Sequence, residues 1–92
     1  MRANETITKV FYSSKFLKAI KKAPSEIQRA FLSKEKLFLS NCFDAKLKTH
    51  KLHGKYKDYW AFFINSSWRV MFSFLSETEV GFINLGTHDI YE

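Results

Sequence analysis

At 92 residues the chain is too short for more than one domain, since domains run to roughly 100–150 residues. Hydrophobic residues make up 46% of it, with ten Phe, four Tyr and two Trp, which is enough for a packed core and excludes disorder. The net charge of +6 is a strong positive field for so short a chain, suited to a polyanion or an acidic protein.

In chain order, the opening MRANETITK lacks the apolar segment of a secretion signal. No apolar run approaches the roughly 20 residues that span a bilayer. These features give the expectation of a single cytoplasmic domain over residues 1–92, with no membrane contact. ITKVFYS, residues 7–13, is a short β-prone run and predicts the first strand. Ser13 or Ser14 N-caps a helix over residues 13–23. Phe16, Leu17 and Ile20 share its apolar face, and Lys21 and Lys22 sit at the negative end of its dipole. Pro24 stops that helix and starts the next, residues 24–42, where Glu26 favours the first turn. Ile27, Ala30, Phe31, Phe38 and Cys42 form its stripe. Leu32, Leu37 and Leu39 widen it, and the excess width is assigned to the core rather than to a partner-binding strip. The joint is too tight for anything but an antiparallel helical hairpin. Cys42 is the single cysteine, which excludes an internal disulfide and a cysteine-built metal site. It reads as a small buried hydrophobe and fits a reducing cytosol.

Residues 46–57, KLKTHKLHGKYK, hold Lys46, Lys48, Lys51, Lys55 and Lys57 with His50 and His53 and no acid. A solvated helix face mixes charge signs, so this run points to nucleic acid or an acidic partner. Its weak periodicity and Gly54 make it largely loop. A clear β region follows. Residues 59–64 and 68–74 flank Asn65-Ser66-Ser67 and form a hairpin in which Ile64 faces Trp68. That register puts Trp60, Phe62, Ile64, Trp68, Val70, Phe72 and Phe74 on the core side. Tyr59, Ala61, Phe63, Arg69, Met71 and Ser73 fall on the other. A third strand over residues 79–85 follows the turn at Ser76-Glu77-Thr78, before the closing Gly86-Thr87-His88-Asp89-Ile90-Tyr91-Glu92. The order β-α-α-β-β-β predicts an α+β domain, an antiparallel sheet with the helical hairpin packed on one face. The other face, expected to stay open, carries Arg69 and is the place to look for function.

Several chemistries lack their residues. His50 and His53 are close, but no HExxH or Cys/His pattern accompanies them, so no metal and no cofactor are expected. There is no Gly-rich phosphate loop and no Ser/His/Asp arrangement in a recognisable context. What remains is His, Lys, Arg and Tyr around a basic sheet face, a set that suits metal-free RNA cleavage. That reaction needs a base for the ribose 2′-OH, an acid for the leaving 5′-oxygen and cations for the charge on the phosphate. Histidine serves as either acid or base near neutrality, and the planar fork of Arg matches phosphate oxygens.

Three pieces of the C-terminal half carry a resemblance. They are His50-Lys51-Leu52-His53-Gly54, the Trp68-Arg69-Val70 strand after a tight hairpin, and Gly86-Thr87-His88 near the end. In their order and spacing they resemble RelE/ParE-superfamily toxins, particularly the YafQ and RelE/StbE-like mRNA interferases. The motifs cover about half the chain, and the order of elements agrees over all of it. The resemblance implies a type II toxin that cuts mRNA in the ribosomal A site, with 16S rRNA contacts. It also implies silencing by a cognate antitoxin in a toxin–antitoxin hetero-oligomer.

Residue by residue, the resemblance makes His50 and His88 the catalytic histidines and Arg69 the phosphate-stabilising arginine. Tyr91 lies near the terminal aromatic beside the scissile bond, one residue off in spacing from Gly86-Thr87-His88. Lys48, Lys51, Lys55 and Lys57 are the expected RNA contacts. The chain departs from the YafQ pattern at Phe63, where another His is usual, and at Ser67, where an Asp is usual. Because the derived register puts Phe63 and Arg69 on one face, a guanidinium stands where the imidazole is lost. Structural roles compete with these. Tyr59 and Tyr91 also read as ordinary sheet aromatics, Arg69 as a partner of Asp89 or Glu92, His53 as a surface residue, and His88 as a clamp on the tail backbone. Competing functions are a ParE-like inhibitor of DNA gyrase, which needs no His or Arg cluster, and a non-toxic module that only binds its antitoxin.

Overall fold

The first helix is set by one hydroxyl. In the computed structural model, which describes residues 6–91, Ser13 precedes α1 (Ser14–Lys22) in extended conformation. Its Oγ accepts from the Phe16 amide at 2.9 Å and donates to the Ile83 carbonyl at 2.7 Å. One side chain therefore caps the helix and ties it to the sheet. Ala23 stays extended because the residue before a proline is driven out of the helical region. Pro24 then caps α2 (Ser25–Ser40), its carbonyl accepting from Ile27 and Gln28. The Gln28 amide reaches back to the carbonyls of Ile20, Lys21 and Ala23 at the end of α1, of which Ile20 also accepts from the Ala23 amide.

Five strands form the sheet: β1 (Lys9–Tyr12), β2 (His50–Lys51), β3 (Trp60–Phe63), β4 (Arg69–Phe74) and β5 (Glu79–Gly86), all but β2 lying where the sequence predicts strands. Their spatial order is β1-β5-β4-β3-β2. The expected α+β class holds, with one refinement. The sheet is mixed rather than wholly antiparallel, because β1 runs parallel to β5, Val10 opposite Val80. The helical pair carries the chain back over one face, so the first strand lands beside the last in the same direction.

The β3–β4 hairpin has the derived register, with Phe63 opposite Arg69 and the Ile64 amide bonded to the Trp68 carbonyl at 2.8 Å. Asn65 Oδ1 accepts from the Ser67 and Trp68 amides and holds the turn. Alternation sends Phe62, Ile64, Val70 and Phe72 into the core, where they are buried with Phe16, Ile27, Phe31 and Phe38 of the helices. Phe38 stacks on Phe62 at 4.6 Å and meets Phe72 edge-on at 5.0 Å. Between β4 and β5 the register shifts at Met71 and Phe72, leaving Ile83 as the extra residue. The bulge lets Phe82 and Leu85, of opposite parity, both face the core, while Ile83 joins the second face.

Three expectations are corrected. Leu17 and Leu32 are not core but 51% and 63% exposed, because the sheet takes only the narrower stripe of each helix. Residues 46–57 are not largely loop. Two 3-10 turns, Ala45–Leu47 and Gly54–Tyr56, bracket β2, which pairs antiparallel with β3. Buried Leu47 and Leu52 anchor the stretch, a signal hidden among its lysines. The second sheet face is not open. Leu52, Ala61 and Met71 form a buried cluster there, roofed by Tyr56, Tyr59, Ile83, Ile90 and Tyr91.

Candidate active site

β2 brings His50 opposite Ala61, and β3 brings Phe63 opposite Arg69. Ala61 and Phe63 share the face away from the helices, so His50, Phe63 and Arg69 stand on it together. Their rings form a continuous strip. His50 stacks on Phe63 at 5.8 Å and 24°. The Arg69 guanidinium lies over Phe63 at 4.6 Å and over Tyr91 at 5.6 Å. His88 meets Tyr91 edge-on at 5.4 Å. All four candidate catalytic residues are thus joined through Phe63, which fills the position where the resemblance called for a third histidine.

The polar contacts favour particular roles. His50 Nδ1 lies 2.8 Å from the Lys48 carbonyl. A carbonyl only accepts, so this bond places the proton on Nδ1 and leaves Nε2 of the neutral ring unprotonated. Both His50 and His88 are exposed and reachable by a ligand. Arg69 is half-buried between its two rings, and its one bond to a described residue runs from Nη2 to the Ser67 carbonyl at 3.4 Å. Its Nε, and the hydroxyl of Tyr91, are buried without a hydrogen-bond partner. Buried donors are ordinarily paired, so these two are exceptions within the strip, while the guanidinium's charge is what suits an anionic ligand. Arg69 does not pair with Asp89, whose carboxylate accepts from the Thr87 hydroxyl, and Glu92 lies outside the described residues. No hydrogen bond from the His88 ring to the backbone occurs among the described residues, so its contact is the Tyr91 edge.

The tail that carries His88 and Tyr91 is a 3-10 turn, His88–Tyr91. It is seated by Gly86, which pairs with Arg69 in the sheet. A methyl group on Gly86 would overlap the Ile90 side chain, so only glycine lets the turn lie this close. Tyr56 supports Tyr91 from the other side, ring centres 6.2 Å apart. Gly86, Ile90 and Tyr56 are supporting residues that sequence reasoning missed. The glycine of Gly86-Thr87-His88 was the available signal.

The expected RNA-contacting lysines separate. Lys48 has a left-handed backbone, φ 52°, and lines a cavity beside Phe63. The Lys55 ammonium sits 5.3 Å from the Tyr56 ring and so adjoins the tail cluster. Lys57 is exposed at the end of the same turn. Lys51 pairs with Trp60, a core-side residue, and so projects from the face opposite His50. Among the described residues no three His, Cys, Asp or Glu side chains are grouped to hold a metal ion.

No family model matches the chain, and no curated protein matches it in sequence. Solved structures do match. YafQ from E. coli strain BL21(DE3) superposes with a TM-score of 0.74 at 22% identity, covering 89% of this chain and 94% of YafQ. The chain has the fold of the RelE-like toxins. A YoeB/ParE toxin from Agrobacterium tumefaciens gives a TM-score of 0.70 at 15% identity, covering 88% of this chain and 99% of its own. The toxin–antitoxin complex RelBE2 from Mycobacterium tuberculosis gives 0.67 at 14%, covering 90% and 100%. In this chain's version of the RelE-like fold, the strip from His50 to His88 runs along the sheet face that the helices leave uncovered.

Proposed function

We propose that the chain is the toxin of a type II toxin–antitoxin pair and acts as a metal-independent endoribonuclease on ribosome-bound mRNA. The observation that carries this reading is Arg69, clamped between Phe63 and Tyr91 with unpaired donors and flanked by two exposed histidines. A phosphodiester seated on the guanidinium lies between a base and an acid. His50 Nε2 takes the proton of the 2′-OH, and the 2′-oxygen attacks the adjacent phosphorus. Arg69 stabilises the charge gathering on the non-bridging oxygens. The bond to the 5′-oxygen breaks as His88, protonated, supplies that oxygen with a proton. The products are a 2′,3′-cyclic phosphate and a 5′-hydroxyl. Tyr91 holds the guanidinium by ring contact alone.

An antitoxin partner has separate support. RelBE2 is a toxin–antitoxin complex of the same fold. Here Tyr12, Leu17 and Leu32 are exposed along a groove of about 470 Å³ between β1, α1 and α2. Such an apolar groove suits an amphipathic segment, whose acidic side would meet the +6 surface. Within the groove the Tyr12 hydroxyl bonds Glu35, and burial together with that carboxylate pushes the phenol pKa up.

The test is induction of the chain and of Arg69→Ala in growing cells, with a translation extract containing a defined mRNA alongside. The reading predicts growth arrest and codon-phased cuts only when ribosomes are engaged, both lost with Arg69→Ala. Intact mRNA with blocked gyrase supercoiling contradicts it in favour of the ParE-like activity.

A further inference from the structure

Beside the strip lies a second basic feature that the proposed mechanism does not use. Lys34 of α2, Lys46 and Lys48 from the 3-10 turn, and Phe63, Asn65 and Ser66 of the hairpin line a cavity of about 340 Å³. A water occupies only about 30 Å³, so the space admits a hydrated phosphodiester. No carboxylate lines it among the described residues. Asn65 Oδ1 is already taken by the Ser67 and Trp68 amides, which leaves the NH2 half of that side chain as its free end. The residues that line the cavity therefore carry three ammonium groups, an amide NH2 and a hydroxyl, all donors toward an anion.

Lysines from two distant segments line one cavity, and an anion between them offsets the repulsion that their like charges would otherwise bring. The fold nevertheless holds them there. Leu47, fully buried, pins the turn between Lys46 and Lys48. Lys48 takes a left-handed conformation that non-glycine residues seldom adopt, and its carbonyl is tied to the His50 ring. Phe63 lines the cavity and is also the ring on which His50 and Arg69 rest. Cavity and strip therefore adjoin across one ring.

We infer that this cavity is a second phosphate-binding site, holding a neighbouring phosphate of the RNA strand whose scissile phosphate sits on Arg69. This rests on the strip being an RNA-cleavage site. The strand crosses Phe63, and Lys34 and Lys46 join Lys48 as RNA contacts. Gripping a second phosphate fixes the scissile bond along the strand, which single-point attachment at Arg69 cannot do.

The test uses a 2′-O-methylated RNA hexamer, which cannot be cut, so binding is read without turnover. Fluorescence anisotropy over a range of salt gives the slope of log K against log salt, and amide NMR shifts locate the contact. The expected result is shifts at Lys34, Lys46, Asn65 and Ser66. In Lys34→Ala/Lys46→Ala the slope should fall by about 0.7, the share of one phosphate on a single strand. Lys18→Ala, on α1, should keep the wild-type slope. An unchanged slope in the double variant, or no binding of the hexamer, overturns the inference. So does an acidic hexapeptide that produces the same shifts at lower concentration, which would make the cavity a protein-binding site. If Arg69→Ala abolishes cleavage while the slope ignores Lys34 and Lys46, the cleavage reading survives and the second site falls. Shifts in the cavity without any mRNA cleavage give the reverse.

Discussion

The two faces of the sheet are built from similar aromatic residues and do opposite work. On the helix side Phe38, Phe62, Phe72 and Phe82 are fully buried, and among the described residues no polar or charged one is buried with them. Each ring there is fixed by other rings, as Phe38 is by Phe62 and Phe72. On the other side Phe63 and Tyr91 are half-buried, and what they enclose is a guanidinium with unpaired donors. The first face stores stability. In the proposed function the second holds a charged group in a fixed geometry toward a ligand, which is what transition-state stabilisation requires. Aromatic content alone does not separate the two uses; what separates them is whether the rings close on each other or on a charge.

Substitutions on each face should therefore fail in different ways. Phe38→Ala should cost about 3–5 kcal/mol of stability by opening a cavity among the rings of Phe62, Phe72 and Phe82. Its cleavage loss should track the folded fraction measured by urea denaturation. Arg69→Ala should do the reverse. Cleavage falls by about 10²–10³, the scale of a lost charge-stabilising donor. Stability moves by less than about 1 kcal/mol, because only cation–π contacts and one long hydrogen bond to Ser67 are lost. A large melting shift in Arg69→Ala would show that the second face is structural too.

Gly86→Ala sharpens the contrast within the second face. The added methyl pushes Ile90 and the tail away, so cleavage should fall by about 10² from misplacement of His88 and Tyr91. Pairing it with Ile90→Ala removes the overlapping group and should restore part of the activity, a rescue that general destabilisation would not give. The smallest effect belongs to Lys51→Ala. Its side chain projects toward the helix side, so cleavage and the salt slope of RNA binding should both stay at wild-type values. A drop comparable to the loss of Lys48 would contradict that placement.

Much of this was legible in the sequence because it rests on local rules. Ser13, Pro24 and the three-residue turn at Asn65 act within a few residues, and strict alternation from Trp60 to Phe74 encodes both faces once the turn is placed. The α+β class followed from the order of elements. The parallel β1–β5 pairing, the bulge at Ile83 and the exposure of Leu17 and Leu32 depend on how distant segments meet, which no local pattern reveals. The site divides in the same way. Phe63 and Arg69 could be placed on one face from hairpin register. His50 reached that face through a two-residue strand hidden in a lysine-rich run, and Lys34 comes to the cavity from a helix assigned only to packing. Phe63 looked like a missing histidine and is instead the ring on which His50 and Arg69 rest.

The central claim is that this strip makes the ribose 2′-hydroxyl the nucleophile. It is tested most directly with an mRNA carrying one 2′-deoxynucleotide at the cleaved position, translated in extract with the wild-type chain. The account predicts that the deoxy message stays intact at that position, while the unmodified message yields fragments ending in a 2′,3′-cyclic phosphate and a 5′-hydroxyl. Cutting of the deoxy message there, or 5′-phosphate ends on the fragments, would contradict it.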